Sequence, residues 1–374
     1  MASPERPLPP ALRSFLQLRP AAATSKETTV PITQGGSTFT MAQEAAWLDE
    51  DHFAVGRWDG SLEIYQYSTL PSIGPLISHA VSGPAGEGLQ MVLPIDERQF
   101  LTSNNEASLA LWLSPSPNAW AHVTCAHTLR YSAALGAANS ATLLKPRTAD
   151  PHIVVGHANG FLSFWRPDRF RWELTASLDI RGNQPVNPWG LHNIRGLAII
   201  DLKLGLIVAG SEDGDLTIVD VDQSRIVSKS LYNPAAKRGI NALAFSGAYL
   251  LVANCAVGAA DRNLWAYHIS LPAGTITQTD ASNLAIDATA PQVFNFDVTW
   301  GDSYRGVPAF FASTEEGVVW MGTCDESGHV SILGNAPVSR KVGADQLLHL
   351  GSGICYSRSR LAVANYDVTQ FRIG

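Results

Sequence analysis

Residues 210–221 read GSEDGDLTIVDV, and this stretch decides the fold. Its acids, Glu212, Asp213 and Asp215, crowd round Gly214 either as calcium ligands or as the corner of a tight hairpin. The corner is favoured because Asp and Gly tolerate positive φ, and because alternating apolar residues on each side predict strands. A calcium-binding EF-hand loop is instead flanked by helices and ends in Glu. We therefore expect a turn and no metal site here.

The same plan recurs along the chain: an apolar strand, a polar turn and a second, alternating strand. The clearer copies are HFAVGRWDGSLEIYQY (52–67), QFLTSNNEASLALWLS (99–114), HIVVGHANGFLSFWRP (152–167) and LIVAGSEDGDLTIVDV (206–221). Weaker copies are YLLVANCAVGAADRNLWAYHIS (249–270), PAFFASTEEGVVWMGT (308–323) and LAVANYDVTQFRIG (361–374). Successive turn residues, from Asp59 to Asp367, lie 47 to 55 positions apart. The chain therefore contains seven repeats of one unit.

Each hairpin also has an apolar strand before it and usually one after it, as IRGLAII (194–200) and RIVSKSL (225–231) flank the fourth. Seven units of four strands predict an all-β fold, a seven-bladed β-propeller of antiparallel blades. A flexible tail is expected over 1–26 and a single propeller domain over 27–374. The blades are placed at about 38–82, 88–128, 139–180, 193–232, 239–280, 292–334 and 345–374.

The last blade is one strand short at the end of the chain. Its predicted strands are LLHLG (347–351), LAVANY (361–366) and TQFRI (369–373). The segment TTVPIT (28–33) has no blade of its own, and its Pro31 suits an edge strand. We therefore predict that residues 28–33 close the ring as the outer strand of the last blade.

The repeats resemble those of the WD-repeat family over residues 27–374. The best matches are RWDGSLEIY (57–65), GHANGFLSFW (156–165) and GSEDGDLTIV (210–219). The family's Trp-Asp pair is absent from the third strands, where Tyr65-Gln66 and Val219-Asp220 are examples of the replacements. The resemblance implies a propeller that binds other proteins, and it rests on the period more than on the motif.

Composition narrows the function further. The chain has a formal net charge of −7, which argues against wholesale binding to nucleic acid or anionic lipid. Its four cysteines show no paired spacing, so neither a zinc site nor a disulfide framework is indicated, and a reducing, cytoplasmic location is expected. No apolar run is long enough to predict a membrane-spanning helix. The first 27 residues, with Arg6, Arg13 and Arg19, are typical either of a disordered tail or of an organelle transit peptide.

Few motifs point to chemistry. The phosphate-binding and dinucleotide-binding glycine patterns and the nucleophile elbow are all missing, so no cofactor is expected. In HVTCAH (122–127) only Cys125 and His127 share a face of a strand, which is too few ligands for zinc. The tryptophans, including Trp112 and Trp165, are predicted to pack between blades.

Asp297 breaks the apolar pattern of an innermost strand. It is matched to Ala198 and Ala244 of the two preceding repeats and is expected near the axial channel. A carboxylate there is either a catalytic acid or a group hydrogen-bonded within its blade. The second alternative is favoured because no partner acid can be placed beside it.

Two loops between blades carry basic and aromatic residues. Residues 179–196 and 232–239 lie between the third and fourth and between the fourth and fifth repeats. Such a cluster is typical either of a protein-binding hot spot or of an ordinary solvated loop pair. The candidate partner-binding residues are Arg181, Trp189, His192, Arg195, Tyr232, Lys237 and Arg238.

These features predict a non-enzymatic interaction platform, a recognition or scaffold subunit that binds one or more proteins through inter-blade loops. The alternative is an enzyme that acts at the axial channel through Asp297. A phosphorylated or nucleic-acid ligand on a basic patch ranks third, because the molecule as a whole is acidic.

Overall fold

The structure is a computed structural model. It describes residues 23–25, 42–57, 60–67, 77–80, 89–104, 107–146, 150–169, 171–181, 192–231, 239–247, 249–257, 263–271, 275–284, 292–314, 318–337, 353–364 and 367–372. Nearly all of this part of the chain is strand and tight turn, with short 3-10 turns at Trp120–His122 and Ala133–Leu135.

The strands follow one another in hairpins. In chain order they are β1 (Ala23–Ser25), β2 (Ala42–Trp47), β3 (His52–Arg57), β4 (Ser61–Gln66), β5 (Ile77–Ala80), β6 (Val92–Asp96), β7 (Gln99–Asn104), β8 (Ser108–Leu113), β9 (Thr124–Arg130), β10 (Ala138–Leu144), β11 (His152–His157), β12 (Phe161–Asp168), β13 (Arg171–Asp179) and β14 (Ile194–Asp201). They continue as β15 (Leu206–Ser211), β16 (Asp215–Asp220), β17 (Arg225–Leu231), β18 (Ile240–Ser246), β19 (Tyr249–Val257), β20 (Leu264–Ser270), β21 (Thr275–Leu284), β22 (Gln292–Trp300), β23 (Ala309–Thr314), β24 (Val318–Cys324), β25 (Val330–Pro337), β26 (Gly353–Ser357), β27 (Arg360–Ala364) and β28 (Asp367–Arg372).

The architecture is an all-β propeller with four-stranded antiparallel blades. The strands form six hydrogen-bonded sheets, five of four strands and one of eight, within the ranges given above. The prediction of seven separate sheets is therefore wrong. The reason is that β19 extends beyond its hairpin, so that Cys255–Val257 pair with Gln292–Phe294 and join β18–β21 to β22–β25.

Burial follows the position of a strand in its blade. Along β14, a first strand, residues alternate between buried and partly buried, as expected where one face of a strand meets an adjacent sheet. Every residue of β11, a second strand, and of β16, a third strand, is buried, as expected where sheets cover both faces. This explains the continuous apolar runs that the sequence shows at these positions.

Seven hydrophobic clusters join consecutive four-stranded units within the described residues. One example lies between β6–β9 and β10–β13, where buried Leu111 meets buried Trp165. Another of the seven clusters joins the first unit to the last, and it includes Phe53, Tyr65 and Ala362. Trp112 and Trp165 are both part of such clusters, which confirms their predicted place between blades.

The last sheet has the strand order β1-β28-β27-β26. Its outer position is held by Ala23–Ser25, whose residues pair with Asp367–Thr369. The prediction that TTVPIT (28–33) takes this position is wrong, and residues 28–33 lie outside the described part. The innermost strand was also misplaced, because Gly353–Ser357 takes the position that was predicted for LLHLG (347–351).

The predicted hairpin at GSEDGDLTIVDV (210–221) is confirmed. β15 ends at Ser211, β16 begins at Asp215, and Gly214 donates its N–H to the carbonyl of Ser211 at 3.0 Å. Gly214 has φ 81°, and the equivalent glycines, Gly60 and Gly160, both have φ 78°. This left-handed conformation is the physical reason for glycine at the corner.

Candidate functional site

Of the predicted partner-binding residues, the structure describes Arg181, His192 and Arg195. These three lie at the end of the sheets where the second and third strands of each blade turn. Arg181 and His192 are neighbours, because a side chain at Gly160 would collide with both of them. Trp189, Tyr232, Lys237 and Arg238 lie outside the described residues, so the cluster as a whole stays a prediction.

Each described member of this cluster faces a carboxylate. Arg181 donates from Nε to Oδ1 of Asp179 at 3.0 Å and lies over the ring of Phe161. The hydrogen bond from Arg181 lowers the pKa of Asp179 below its ordinary value. The basic charge of Arg181 is therefore largely balanced on the surface.

Two acids of GSEDGDLTIVDV (210–221) contact the other two described members, His192 and Arg195. His192 Nδ1 lies 2.8 Å from Oδ2 of Asp213, and Arg195 donates from Nε to Oε1 of Glu212 at 2.6 Å. Asn193 donates to the other oxygen of Glu212 at 3.0 Å. Glu212 and Asp213 therefore contact the loop that the sequence predicted as a binding site. Sequence reasoning missed this pairing, which the turn geometry of GSEDGD creates.

A second candidate site lies on the innermost strands β2, β22 and β26. Glu44 in β2 and Asp297 in β22 each follow a β-bulge, after which Glu44 pairs with Gly56 and Asp297 with Ser313. β14 and β18 carry the same bulge before Gly196 and Ala242, so the strands can be compared residue by residue. Asp297 is therefore equivalent to Gly196 and Ala242, and not to Ala198 and Ala244 as predicted.

Asp297 links two sheets. Its Oδ2 accepts a hydrogen bond from the backbone N–H of Ile354 at 2.9 Å, and its Oδ1 accepts one from Val298 at 2.8 Å. Burial outweighs these hydrogen bonds and raises the pKa of Asp297 to about 7. The hydrogen bonds support the prediction of a structurally tied carboxylate, while the raised pKa is a property that catalytic acids share.

Asp297 has an acidic neighbour after all. Burial, and then the negative charge of Asp297, raise the pKa of Glu44 well above its ordinary value. Burial, Glu44 and Asp297 together raise the pKa of the Cys355 thiol. The expectation that no partner acid lies beside Asp297 is therefore wrong. Glu44 belongs to the first repeat and Asp297 to the sixth, so only the arrangement of the sheets brings them together.

A third candidate site lies at the opposite end of the sheets, where the first and second strands and the third and fourth strands turn. Between the second and third blades is a groove of about 710 Å³. Buried Ile95, Leu111 and Trp172 form its apolar base. Five basic side chains line it: Arg98, His127, Lys145, Arg169 and Arg171.

The partners of these basic side chains differ from those in the loop cluster. Arg98 donates to the carbonyls of Ser114 and Pro115, and Lys145 donates to the carbonyl of Ile95. Arg171 makes the ion pairs in this group, with Glu173 at 2.7 Å and Asp168 at 3.8 Å. Among the described residues, no carboxylate forms an ion pair with the other four basic side chains. Asp96 and Glu97 line the same groove, so five basic and two acidic side chains surround it.

An acidic groove lies next to the basic one, between the first and second blades. It has a volume of about 550 Å³ and shares Ile95, Asp96 and Glu97 with its neighbour. Its other acids are Asp49, Glu50 and Asp51. Burial alone would raise the pKa of Asp49, but hydrogen bonds from the backbone of Asp51, from Trp120 and from His52 lower it. The acidic character of this groove is thus built into its turns.

Sequence reasoning missed the basic groove. Its strongest signal is RPDRFRW (166–172), which places three arginines in and beside the turn between the third and fourth strands of one repeat; Arg169 and Arg171 line the groove. The turn IDER (95–98) and Lys145 complete the groove from two other hairpins. The predicted loop cluster lies between repeats, whereas this turn lies within one repeat.

Two further groups of polar side chains form hydrogen-bond networks inside single blades and, unlike the grooves, are closed to solvent. In the first blade Glu63 accepts hydrogen bonds from Arg57 Nε and from the hydroxyl of Tyr65, both at 2.7 Å. In the third blade Ser163 Oγ lies 2.7 Å from His157 Nε2 and accepts the indole N–H of Trp165 at 2.9 Å. Both networks are fully enclosed, so they stabilise their blades and offer no site to a ligand.

Within the described residues, no three His, Cys, Asp or Glu side chains are grouped so as to hold a metal ion. Among the same residues, no helix is long and apolar enough to cross a membrane.

Solved β-propeller structures share the fold of the chain. The β-propeller domain of Swd1 (Cps50) from Myceliophteria thermophila superposes with a TM-score of 0.62 at 14% identity, covering 94% of this chain and 100% of that one. The WD40 domain of Pan2 from Neurospora crassa gives a TM-score of 0.61 at 11% identity, covering 94% of each chain. No protein-family model and no curated protein sequence matches the chain. At these identities the likeness concerns the fold alone.

Proposed function

We propose that the chain is a seven-bladed, closed propeller that works as a non-enzymatic protein-interaction platform. Seven blades are supported by the seven hydrophobic clusters, each of which joins one four-stranded unit to the next. Closure is supported by the cluster between the first and last units and by the pairing of β1 with β28. The eight-stranded sheet then consists of the fifth and sixth blades, joined by the extension of β19.

The observation that carries the proposal is the separation of charge at one end of the propeller. A basic and an acidic groove lie side by side on rigid turns, sharing Asp96 and Glu97 as a common wall. Apolar bases with charged rims are typical of protein-binding surfaces, and propellers commonly bind through the ends of their blades. The WD40-type fold of the chain fits this function, because such propellers typically act as interaction scaffolds.

Affinity purification of the full chain from its native host, with cross-linking mass spectrometry, tests the proposal. We expect at least one protein at a stoichiometric level, with cross-links to lysines and acids at the end that carries the two grooves. Recovery of the chain alone, under conditions that preserve known complexes of the host, would contradict the proposal.

A second candidate function is catalysis at the axis, and one observation favours it. Glu44 and Asp297 are neighbouring carboxyl groups with raised pKa values, as in enzymes that share a proton between two acids. The two functions separate in one variant. If the chain is a platform, Asp297→Asn leaves partner capture unchanged, whereas an enzyme loses turnover of a small molecule while it still folds.

A further inference from the structure

We infer that the basic groove between the second and third blades binds an acidic segment of a partner protein, in which carboxylates alternate with apolar side chains. This inference rests on the proposed function, since it names the partner chemistry of one surface of the platform. The ligand is identified by three properties of the groove: its charge, its base and its boundaries.

The charge of the groove selects an anionic ligand. Arg98, Lys145 and Arg169 have no ion-pair partner among the described residues, so their charges are available to a ligand. Arg169 has φ 50° and lies in the turn between β12 and β13. Arginine forms paired hydrogen bonds with carboxylates.

The base of the groove selects a ligand that also has apolar side chains. Trp172 and Leu111 lie beneath the basic rim, and Pro151 and Pro167 line the same groove. Tryptophan and arginine are the residues that most often dominate the energy of protein interfaces. In a short extended peptide successive side chains point to opposite sides, so the apolar residues can enter the groove while the carboxylates between them remain at the level of its basic rim.

The boundaries of the groove argue against nucleic acid. Asp96 and Glu97 form the wall towards the adjacent acidic groove, which holds Asp49, Glu50 and Asp51 as well. Glu50 and Asp51 pair with Arg358 and Arg360, but Asp96 and Glu97 have no ion pair among the described residues, so a phosphate backbone entering on this side would meet their charges. A peptide can avoid the repulsion because its charges are placed residue by residue.

Fluorescence anisotropy with the full chain tests the inference. The probe is a short fluorescein-labelled peptide in which glutamate alternates with leucine. Two control peptides replace either every glutamate by glutamine or every leucine by serine, and a labelled single-stranded DNA of equal charge is the nucleic-acid arm. We expect the first peptide to bind, both control peptides to bind more weakly, and the affinity to fall with added salt.

Matched variants locate the binding. Arg169→Glu/Arg171→Glu should weaken binding of the peptide roughly 30-fold or more, the change that follows the loss of hot-spot residues. The single variants Arg171→Glu and Arg225→Glu form a matched pair, because Arg225 begins the outer strand of the next blade as Arg171 does here, with similar exposure. Only Arg171→Glu should weaken binding, and all variants should keep the melting temperature of the unmodified protein.

Several results would overturn the inference. Equal losses for Arg171→Glu and Arg225→Glu would mean that the peptide binds by general charge. DNA that binds more tightly than the peptide and is lost in the double variant would assign the groove to nucleic acid. Self-association at low salt that the double variant abolishes, with no binding of peptide, would assign it to the acidic groove of a second copy.

The same variant separates failure of this inference from failure of the platform. If Arg169→Glu/Arg171→Glu binds the peptide as tightly as the unmodified chain does, and the chain still captures its stoichiometric partners, only the groove assignment is wrong. If neither the unmodified chain nor the variant captures a partner, the platform itself is wrong.

Discussion

Glu63 and Glu44 belong to the same blade, yet their charges are balanced in different ways. Glu63, in the third strand, is completely buried and contacts Arg57 and Tyr65. Glu44, in the first strand, is partly buried near Asp297, and burial raises its pKa. A cation balances the charge of Glu63, whereas burial shifts Glu44 towards its neutral form.

The difference follows from where each partner lies in the sequence. Arg57 is six residues from Glu63 across one hairpin, so a single blade can carry the whole ion pair. Glu44 meets the sixth and seventh blade units, which supply a second acid and a thiol. A carboxyl group without a cation in a buried site retains its proton, because the desolvated charge costs more than protonation.

Removal of the cation tests this comparison most strongly. Arg57→Met should lower the free energy of unfolding by about 3–5 kcal/mol, because Glu63 is left as an unpaired buried charge. Chemical denaturation, followed by tryptophan fluorescence, measures the change.

The double variant Arg57→Met/Glu63→Leu is the control for this prediction. It should recover most of the stability, since apolar residues of similar volume can replace a buried ion pair. If the double variant is less stable than the single one, the pair does more than balance charge in the blade.

The proton at Glu44 should appear in the dependence of stability on pH. The raised pKa means that the unfolded chain loses this proton before the folded one does, so stability falls as pH rises through the unfolded pKa of about 4.3 and towards the folded value. Glu44→Gln should remove a slope of up to about 1.4 kcal/mol per pH unit and leave the contribution of Asp297. Denaturation curves at several pH values between 4 and 8 measure it, with Glu326→Gln, an exposed carboxylate, as the matched control.

The third blade has a buried network without charge, formed by His157, Ser163 and Trp165. Burial lowers the pKa of His157 to about 4, so at neutral pH its imidazole is uncharged. Its Nδ1 faces the carbonyl of Gly136, so Nε2 accepts from the hydroxyl of Ser163, which in turn accepts from Trp165. Hydrogen bonding alone satisfies all three side chains.

Ser163→Ala should lower the free energy of unfolding by about 1–3 kcal/mol, the cost of leaving a buried donor and acceptor unsatisfied. Thermal denaturation compares it with Ser177→Ala, in the outer strand of the same blade. A loss as large as that of Arg57→Met would remove the distinction between charged and neutral networks.

The period of the hairpins was enough to predict the propeller. Turn residues such as Asp213 and glycines such as Gly214 repeat at nearly constant distances, and the corner conformation requires them. The extension of β19 and the outer strand Ala23–Ser25 were missed, because pairing beyond a hairpin depends on backbone position and leaves little pattern in side chains.

The candidate sites were harder to predict for the same reason. Asp297 was recognised because a carboxylate in an apolar strand is visible in the sequence, but Glu44 was missed because its contact with the sixth blade is made by the fold. The basic groove combines three hairpins, of which only RPDRFRW (166–172) carries a dense local charge. Residues 189 and 232–238 of the predicted loop cluster lie outside the described part of the chain.

The smallest effect is expected at the surface, where Arg195 and Glu212 form a partly exposed counterpart of the Arg57–Glu63 pair. Arg195→Gln should change the free energy of unfolding by less than about 1 kcal/mol, since water screens the charges and glutamine can still donate to Glu212. Arg225→Gln, which alters an exposed arginine paired with the buried Asp220, is the matched control. If Arg195→Gln keeps its stability but loses the partners that Arg225→Gln retains, the loop cluster with Arg181 and His192 is a binding surface of the platform. If both variants capture the same proteins, the pair only orders the loop, and binding belongs to the opposite end of the propeller.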